Sequence, residues 1–195
     1  MARLQSYDRT TLVQKTLQLF WSGGYTATSM DDLVRQTGVS RHGIYKEFGG
    51  KKGALLHALD LYQAQIVTPA FRRVEQAEAT LDTIAAYFTL QIDLAQKSGL
   101  PGPGCLVANL TTEIAPHDAE VRGRVDAHHT RLRSGFRSAL ANTAPDQSPD
   151  QLHARAEATL TFATGLWSLS RVTEEAGVLH AVANHFISML KSDIT

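Results

Sequence analysis

Residues 26–56 constrain the fold of this chain more than any other segment. They contain two short stretches with helical periodicity, separated by Thr37, Gly38 and Val39, and the second stretch begins after Ser40. Glycine at Gly38 permits the left-handed backbone of a tight turn, and a serine before a helix accepts a hydrogen bond from its first turn. This spacing is typical of a helix-turn-helix, whose second helix enters the major groove of DNA. The segment therefore predicts a helical N-terminal domain that binds duplex DNA.

A further helix is predicted before this segment, over residues 8–22. Its inward-facing positions recur at helical spacing and are Leu12, Val13, Thr16, Leu17 and Phe20. The glycines Gly23 and Gly24 end it, because glycine adopts a helix C-cap conformation at little cost. Ser29 and Asp32 then predict an acidic variant of the capping box at the start of the next helix. The head of the chain is thus predicted to contain three helices.

The rest of the chain shows only helical patterns. Helices are predicted over residues 52–79, 81–97, 105–115, 118–141 and 148–172, with a last helix after the break at 174–177. Pro69 predicts a kink in the first of these, because proline lacks an N–H and its ring clashes with the preceding turn. Neither a strand pattern nor an internal repeat is present. We therefore expect an all-α fold with domains at 1–51 and 52–195.

Composition excludes several classes of protein. Hydrophobic residues at 43% and charged residues at 19% indicate a globular protein. Residues 1–8 lack an apolar signal core, and no apolar run approaches the width of a bilayer, so we expect a cytoplasmic protein without a membrane span. A single cysteine, Cys105, excludes an internal disulfide, and the histidines form no metal-binding motif. No metal or cofactor is expected.

Charge is distributed unevenly along the chain. Residues 1–55 carry eight basic and four acidic side chains, a net charge of +4, whereas residues 56–195 carry −4. A basic head suits contact with phosphate, and a body of opposite sign does not. Chance segregation of solvated charges is the alternative explanation of the same numbers.

The head resembles the TetR family of bacterial one-component transcription regulators over about residues 11–59. The residues that carry the resemblance, in the order of the family, are Phe20, Gly24, Tyr25, Thr28, Ser29, Met30, Leu33, Gly38, Val39, Ser40, Tyr45, Phe48, Lys51 and Leu55. The resemblance implies a homodimeric repressor that leaves a near-palindromic DNA operator when a small-molecule effector binds. Residues 52–195 would form the effector-binding and dimerisation domain.

Four positions depart from the usual family pattern. His42 and Gly43 replace a small Gly-Thr or Gly-Ser pair, Glu47 stands where an aromatic residue or histidine is frequent, and Lys52 replaces an acidic residue. We expect these departures to alter which operator is bound. The segment around Gly104 resembles a subgroup that opens its sixth helix with Gly-Cys.

The N-terminal part of a recognition helix reaches base edges best. Arg41 and His42 are therefore our candidates for base contacts, since arginine to guanine is the commonest specific pairing. Gly43 would let the backbone approach DNA closely. The candidates for phosphate contacts are Thr28, Ser29, Ser40, Tyr45, Lys46 and Lys51. Ser29 and Ser40 also qualify as helix caps.

The resemblance places an effector pocket inside the body. Candidate walls are Tyr62, Ile66, Phe88, Cys105, Asn109, Glu113, His128, Phe136 and Trp167. Candidate dimer surfaces are the apolar stripes of the last two helices: Leu152, Ala156, Leu160, Ala163 and Trp167 on one, and Leu179, Val182, Phe186 and Leu190 on the other. The same stripes could instead close the core of the monomer.

Cys105 leaves alternatives open. If Gly104 caps a helix, the dipole of its first turn would favour a thiolate, and Cys105 would sense oxidants or electrophiles. The other interpretation is a small buried side chain. A thiol enzyme with His117 or His129 as base, and a helical interaction module that does not bind DNA, are weaker hypotheses. The predicted function is a regulator and not an enzyme.

Overall fold

The chain forms helices joined by turns and short loops. The structure is a computed structural model that describes residues 7–193. Its helices are α1 (Arg9–Gly23), α2 (Met30–Thr37), α3 (Arg41–Phe48), α4 (Lys51–Tyr62), α5 (Thr68–Phe71), α6 (Leu81–Ser98), α7 (Leu106–Glu113), α8 (Ala119–Thr143), α9 (Pro149–Leu169) and α10 (Ala176–Ser192). The described part contains no strand, which confirms the predicted fold class. Most of the segment without a signal core, residues 1–6, lies outside the described residues.

Capping residues position the three helices of the head, and two of them, Ser29 and Ser40, are the predicted caps. The Asp8 carboxylate accepts a 2.7 Å hydrogen bond from the backbone N–H of Thr11 at the start of α1. Ser29 and Asp32 form a complete capping box, because each side chain accepts from the backbone N–H of the other. Gly38 ends α2 with a left-handed φ of 75°, a conformation that glycine adopts without strain. These caps fix the turn that leads into α3.

A small apolar core holds the three helices together. Phe20 of α1, Leu33 of α2 and Ile44 of α3 are all almost completely buried. Burying a side chain of this kind contributes about 1.5–3 kcal/mol. The other inward positions predicted for α1 are buried as well. This packing makes α3 a rigid element whose opposite face remains exposed.

The predicted long helix over 52–79 is wrong in its second half. α4 ends at Tyr62 and continues as one wide turn, Gln63–Val67, into the short helix α5. The wide turn includes a hydrogen bond from the Thr68 N–H to the Gln63 carbonyl, with an i→i+5 spacing. The irregularity expected at Pro69 is thus a wide turn that ends two residues before the proline. Residues 72–79 form turns.

The body packs around α8. α8 lies against α9, α6 lies against α10 and α8, and α7 contacts α4, α8 and α9. One face of α8 is buried throughout, with Val121, Val125, His128, Leu132, Phe136 and Leu140 at helical spacing. Phe71 and Phe136 meet edge to face with ring centroids 5.2 Å apart. α4 packs on both α1 and α7, so this helix joins the head to the body. The domain boundary at residue 51 stays a prediction.

The stripes proposed for dimerisation serve mainly the core of the monomer. Ala156, Leu160 and Ala163 of α9 are buried within the chain, as are Leu179 and Leu190 of α10. Leu152, Trp167 and Phe186 are partly buried against the same core. Only Val182 among the named residues is exposed, at 40%. These residues therefore match the alternative named above, closure of the monomer core. No helix among residues 7–193 is long and apolar enough to cross a membrane.

Candidate nucleic-acid interface and internal cavity

The first turn of α3 presents its polar side chains to solvent. Ser40 caps the helix through its Oγ, which accepts a 3.1 Å hydrogen bond from the Gly43 N–H. Arg41 and His42 follow and are both exposed. The Ser40 hydroxyl remains a donor, since capping uses only its oxygen as an acceptor. This turn can therefore offer a guanidinium, an imidazole and a hydroxyl to one ligand surface.

Arg41 forms an ion pair within the head. Its Nη2 lies 2.7 Å from Oδ1 of Asp31 in α2. Hydrogen bonding to Asp31 and the attraction of its charge raise the pKa of Arg41. Both side chains are largely exposed, so the pair is weak and can exchange for contacts with a ligand. Asp31 holds the guanidinium beside α2 and also competes with any phosphate or base for it.

Tyr45 and Lys46 extend the same exposed surface along α3. Tyr45 is 52% exposed, which is unusual for a large aromatic side chain. Its ring lies beside the backbone at Gly50, where an added Cβ would stand 3.3 Å from the ring. Lys46 is exposed one residue later. A phenol and an ammonium are thus available at the end of α3 that faces α4.

Lys51 is more constrained than the sequence suggested. Its Nζ lies 4.2 Å from the centre of the Tyr25 ring, in a cation–π arrangement. Partial burial lowers the pKa of Lys51. The ammonium is held between α4 and the loop after α1, so a phosphate at this position would meet an oriented cation.

Thr28 does not qualify as a phosphate ligand, and this corrects the sequence prediction. Its side chain is almost fully buried, and its hydroxyl donates a 2.6 Å hydrogen bond to the Gly24 carbonyl. Ser29 is exposed, but its hydroxyl donates to Asp32 over 2.6 Å, so capping occupies both its donor and its acceptor. For Gly43, an added Cβ would stand 2.7 Å from Cγ1 of Val39. Glycine here gives α3 room against the turn before it.

The departures from the family pattern have partners in the structure. The Glu47 carboxylate lies 2.5 Å from Nε of Arg9, which ties α3 to α1. Lys52 bridges Asp118 and Glu120 at 3.3 and 3.2 Å. Hydrogen bonds to these two carboxylates raise the pKa of Lys52. A basic residue at position 52 therefore connects the head to the start of α8.

Two further contacts join the head to the body. The Glu113 carboxylate, at the end of α7, accepts hydrogen bonds from the backbone N–H groups of Tyr25 and Thr26 at 3.1 and 2.6 Å. The indole Nε1 of Trp21 donates to the Gly104 carbonyl over 2.9 Å. Trp21 belongs to α1, and Gly104 lies just before α7. Both ends of α7 are thus anchored to the head.

A cavity of about 350 Å³ lies in the body beside α7. Five of the predicted wall residues line it: Tyr62, Ile66, Cys105, His128 and Trp167. The other four do not. Phe88 and Phe136 are buried in the aromatic core, the Asn109 amide donates to the Pro103 carbonyl, and Glu113 binds the head. Helical spacing alone did not distinguish a cavity wall from the packed core.

Sequence reasoning missed several wall residues. These include Trp21 from the head, Tyr87, Gln91 and Leu94 from α6, His129 from α8 and Thr164 from α9. The signal that could have found the α6 group is a second stripe, because residues 87, 91, 94 and 98 recur at helical spacing. Trp21 gave no such signal, since its role depends on where α1 docks.

The polar groups of the cavity are neutral and mostly paired. Burial raises the pKa of the Cys105 thiol, and a hydrogen bond with Tyr62 opposes that shift only in part. Cys105 precedes α7 as its N-cap residue, and the expected dipole effect does not prevail over burial. Burial also raises the pKa of Tyr62 and of Tyr87, and Trp167 hydrogen-bonds to the Tyr87 side chain. The thiolate that a reactive cysteine needs is therefore disfavoured.

Gly104 shapes the wall beside Cys105. Its φ of +68° lies in the left-handed region, and an added Cβ would stand 2.7 Å from the Trp167 carbonyl. Both facts demand glycine at this position. Among residues 7–193, no group of three or more histidine, cysteine, aspartate and glutamate side chains could hold a metal ion.

Residues 12–59, which include α2, the turn at Gly38 and α3, match the family model of bacterial regulatory proteins, tetR family. The head of this chain is therefore similar to the helix-turn-helix domain of TetR-family regulators. The model covers the helix-turn-helix and the helices that support it. Residues beyond 59 lie outside this match, and only their fold is compared below.

Two curated relatives are also named as helix-turn-helix regulators. The HTH-type transcriptional repressor ComR of Escherichia coli is 28% identical over 128 residues, 65% of this chain and 60% of ComR. The chain thus aligns with less than two thirds of ComR. YezE of Bacillus subtilis, an uncharacterized HTH-type transcriptional regulator, is 24% identical over 147 residues, 75% of each chain.

Solved TetR structures share the whole fold. A cysteine-substituted variant of the regulator CifR, complexed with 26-base-pair double-strand operator DNA, has a TM-score of 0.80 at 20% identity, covering 96% of this chain and 98% of CifR. A TetR regulator from Chloroflexus aurantiacus has a TM-score of 0.75 at 24% identity, covering 94% and 93%. At this level of identity the comparison establishes the fold.

Proposed function

We propose that this protein is a dimeric repressor of the TetR family that binds a near-palindromic DNA operator and is released by a small molecule in the cavity. The observation that carries the DNA-binding part is the exposed surface of α3. Ser40, Arg41, His42, Tyr45 and Lys46 lie on a helix whose other face is locked into the core of the head. Such a helix can enter a major groove without rearrangement.

The proposed contacts divide by chemistry. Arg41 and His42 lie in the first turn and would contact base edges, with Arg41 exchanging Asp31 for a guanine. Tyr45, Lys46, Lys51 and the hydroxyl of Ser40 would contact phosphate oxygens and fix the register of the helix. Thr28 is no longer a candidate. Ser29 would contribute only through its backbone and the positive end of α2.

A second copy of the chain would complete the operator-binding unit. α9 has an exposed stripe of small residues with heptad spacing, and α10 has an exposed stripe with the same spacing. The stripes are Ala154, Ala158, Thr161, Gly165 and Ser168 on α9 and Val178, Val182, His185 and Met189 on α10. Small residues allow close helix approach, and a heptad pattern suits helix pairing. We propose that these residues, which share only Val182 with the stripes first considered, form the dimer interface.

The route from cavity to DNA would run through α7. Cys105 lies in the cavity wall at the start of this helix, and Glu113 binds the loop between α1 and α2 at its end. An effector that displaces the first turn of α7 would therefore move the carboxylate on which the head is anchored. Such a ligand shifts the equilibrium only through its different affinity for the two arrangements.

Cys105 is proposed as a wall residue of this site. The alternatives, a thiol sensor or a thiol enzyme, need a thiolate or an adjacent base. The side-chain partner of the Cys105 thiol is Tyr62, and burial raises the pKa of the thiol. Alkylation of Cys105 that leaves operator affinity unchanged would support the wall role, whereas selective oxidation that releases DNA would support the sensor.

Selection of bound duplexes from a random DNA library tests the proposed function. We expect enrichment of two inverted half-sites whose centres lie about 34–36 Å apart, one turn of DNA, or a multiple of it. Affinity should fall steeply with salt concentration, because phosphate contacts release counterions. Enrichment of no motif, or binding that salt does not weaken, would contradict the proposal.

A further inference from the structure

The cavity beside α7 contains no permanent charge. Among the described residues that line it, none is an aspartate, glutamate, lysine or arginine. Its titratable side chains are tyrosine, cysteine and histidine. An ion that entered such a site would lose its hydration without gaining a counter-charge, which is strongly unfavourable. The walls therefore select against charged molecules.

The histidines of the wall do not supply a charge either. Burial lowers the pKa of His128 to about 4, and the nearby charges of His129 and Arg131 act in the same direction. Burial also lowers the pKa of His129. Nδ1 of His128 lies 3.1 Å from the Gln63 amide, so the imidazole has a neutral partner. At neutral pH both rings are uncharged.

One polar atom of the wall has no hydrogen-bond partner among residues 7–193. Nε2 of Gln91, in the middle of α6, is buried and makes no hydrogen bond. Buried polar groups are nearly always paired, because an unpaired buried donor has lost its hydrogen bonds to water without replacement. Gln91 lines the cavity. A hydrogen-bond acceptor on a bound molecule would satisfy it.

The surroundings of this donor are apolar and aromatic. Trp21, Tyr62, Tyr87 and Trp167 contribute rings to the wall. Ile66, in the wide turn after α4, and Leu94 of α6 are also lining residues and are 36% and 46% exposed. Exposed apolar side chains at the edge of a cavity favour the entry of an apolar molecule. The wide turn thus places Ile66 at the rim.

We propose that the cavity takes an uncharged aromatic molecule that carries a hydrogen-bond acceptor such as a ketone carbonyl, bound to the amide of Gln91. This rests on the proposed function in one respect, namely that the cavity is the effector site. The rings would enclose the aromatic body, and the Gln91 N–H would orient the carbonyl. A carboxylate of the same size is rejected because nothing in the wall neutralises it.

Three probes of similar shape separate these features. Acetophenone is neutral and has a carbonyl, benzoate is ionised at pH 7.5, and ethylbenzene is neutral without an acceptor. Isothermal titration calorimetry with the full chain, in the absence of DNA, measures the affinity of each probe. Gln91→Leu removes the donor at nearly constant volume. Gln96→Leu changes an exposed glutamine on the same helix and is the matched control.

We expect acetophenone to bind at least about tenfold more tightly than benzoate. Gln91→Leu should weaken acetophenone binding by roughly threefold to tenfold, the range for one net hydrogen bond. The same variant should leave ethylbenzene binding equal or tighter, and Gln96→Leu should change neither. Thermal unfolding of each variant verifies that it folds, and removal of an unpaired donor is expected to preserve stability.

Three results would overturn the proposal. They are benzoate binding as tight as that of acetophenone, an equal loss of acetophenone and ethylbenzene affinity in Gln91→Leu, and no binding of any probe at millimolar concentration. Operator binding by the ligand-free protein, measured in parallel by gel shift, tests the proposed function separately. Failure of the effector class therefore remains distinct from failure of DNA binding.

Discussion

Glu113 and Thr26 connect the two halves of the molecule, because the Glu113 carboxylate accepts a 2.6 Å hydrogen bond from the Thr26 N–H. The same carboxylate accepts from the N–H of Tyr25. These two donors belong to the loop between α1 and α2, where backbone groups need a partner. A residue of the body thus completes the structure of the head.

Replacement of Glu113→Gln should loosen this junction. A glutamine has one acceptor oxygen instead of two, so one charge-assisted hydrogen bond is lost, and bonds to charged groups contribute about 1.5–3 kcal/mol. We expect a comparable decrease in the free energy of unfolding, measured with urea, and weaker operator binding. Glu78→Gln, in the exposed turn after α5, is the control. Equal stability of the two variants would show that the junction is unimportant.

Asp31→Asn should strengthen DNA binding. The substitution removes the carboxylate that holds Arg41 in the free protein and one negative charge near the phosphate backbone. We expect about a threefold to tenfold increase in operator affinity by fluorescence anisotropy. Stability should change by less than about 1 kcal/mol, because exposed ion pairs contribute little. Asp126→Asn on α8 is the control, and reduced affinity in Asp31→Asn would indicate that the pair positions Arg41 for DNA.

Mild acid should destabilise the protein through His128. Burial lowers its pKa from 6.5 to about 4, so the unfolded chain binds more protons between these values. Stability is therefore highest above pH 6.5 and decreases as the pH falls towards 4. From pH 7 to pH 5, protonation of His128 should decrease the free energy of unfolding by about 2 kcal/mol.

His128→Asn tests the origin of that loss. Asparagine keeps a polar partner for Gln63 but does not titrate. The free energy of unfolding in urea should therefore differ less between pH 7 and pH 5 in the variant than in the parent protein. His153→Asn alters an exposed histidine of α9 and should retain the parental pH dependence. An unchanged pH dependence in His128→Asn would exclude His128 as the cause.

Val182→Glu should dissociate the dimer. Val182 is 40% exposed in the monomer, so a carboxylate is tolerated there until a second chain covers it. Sedimentation velocity should show a folded monomer, and operator affinity should fall at least about tenfold because one half-site is lost. Leu90→Glu, at an exposed position of α6, should remain dimeric. A dimeric Val182→Glu protein would place the interface elsewhere.

Local chemistry made the head predictable from the sequence. Ser29, Asp32, Gly38 and Ser40 each act on atoms within three or four residues, so their caps and turn could be inferred from spacing. The apolar period of α8 was equally informative, since one helix face meets one core. These features need no knowledge of how distant segments meet.

The site required tertiary information. The Thr28 hydroxyl donates to Gly24 instead of facing solvent, and Glu113 lies at the head rather than in the cavity. Trp21 reaches the cavity only because α1 docks against the segment at Gly104. The apolar stripes of α9 and α10 left two uses open, because helical spacing alone does not tell a face that closes the monomer from one that meets a second chain. Each error concerns a contact between residues distant in sequence or a choice between two faces.

Operator binding by the double variant Arg41→Ala/Tyr45→Ala is the most direct test of the central claim, that α3 contacts DNA. The double variant should bind the duplex selected by the parent protein with an affinity at least about tenfold lower, since each base-contacting arginine contributes about 1–3 kcal/mol. Sedimentation should show that the dimer persists, and Arg137→Ala on α8 should bind normally. Undiminished operator binding by a dimeric double variant would contradict the assignment of α3 as the recognition helix.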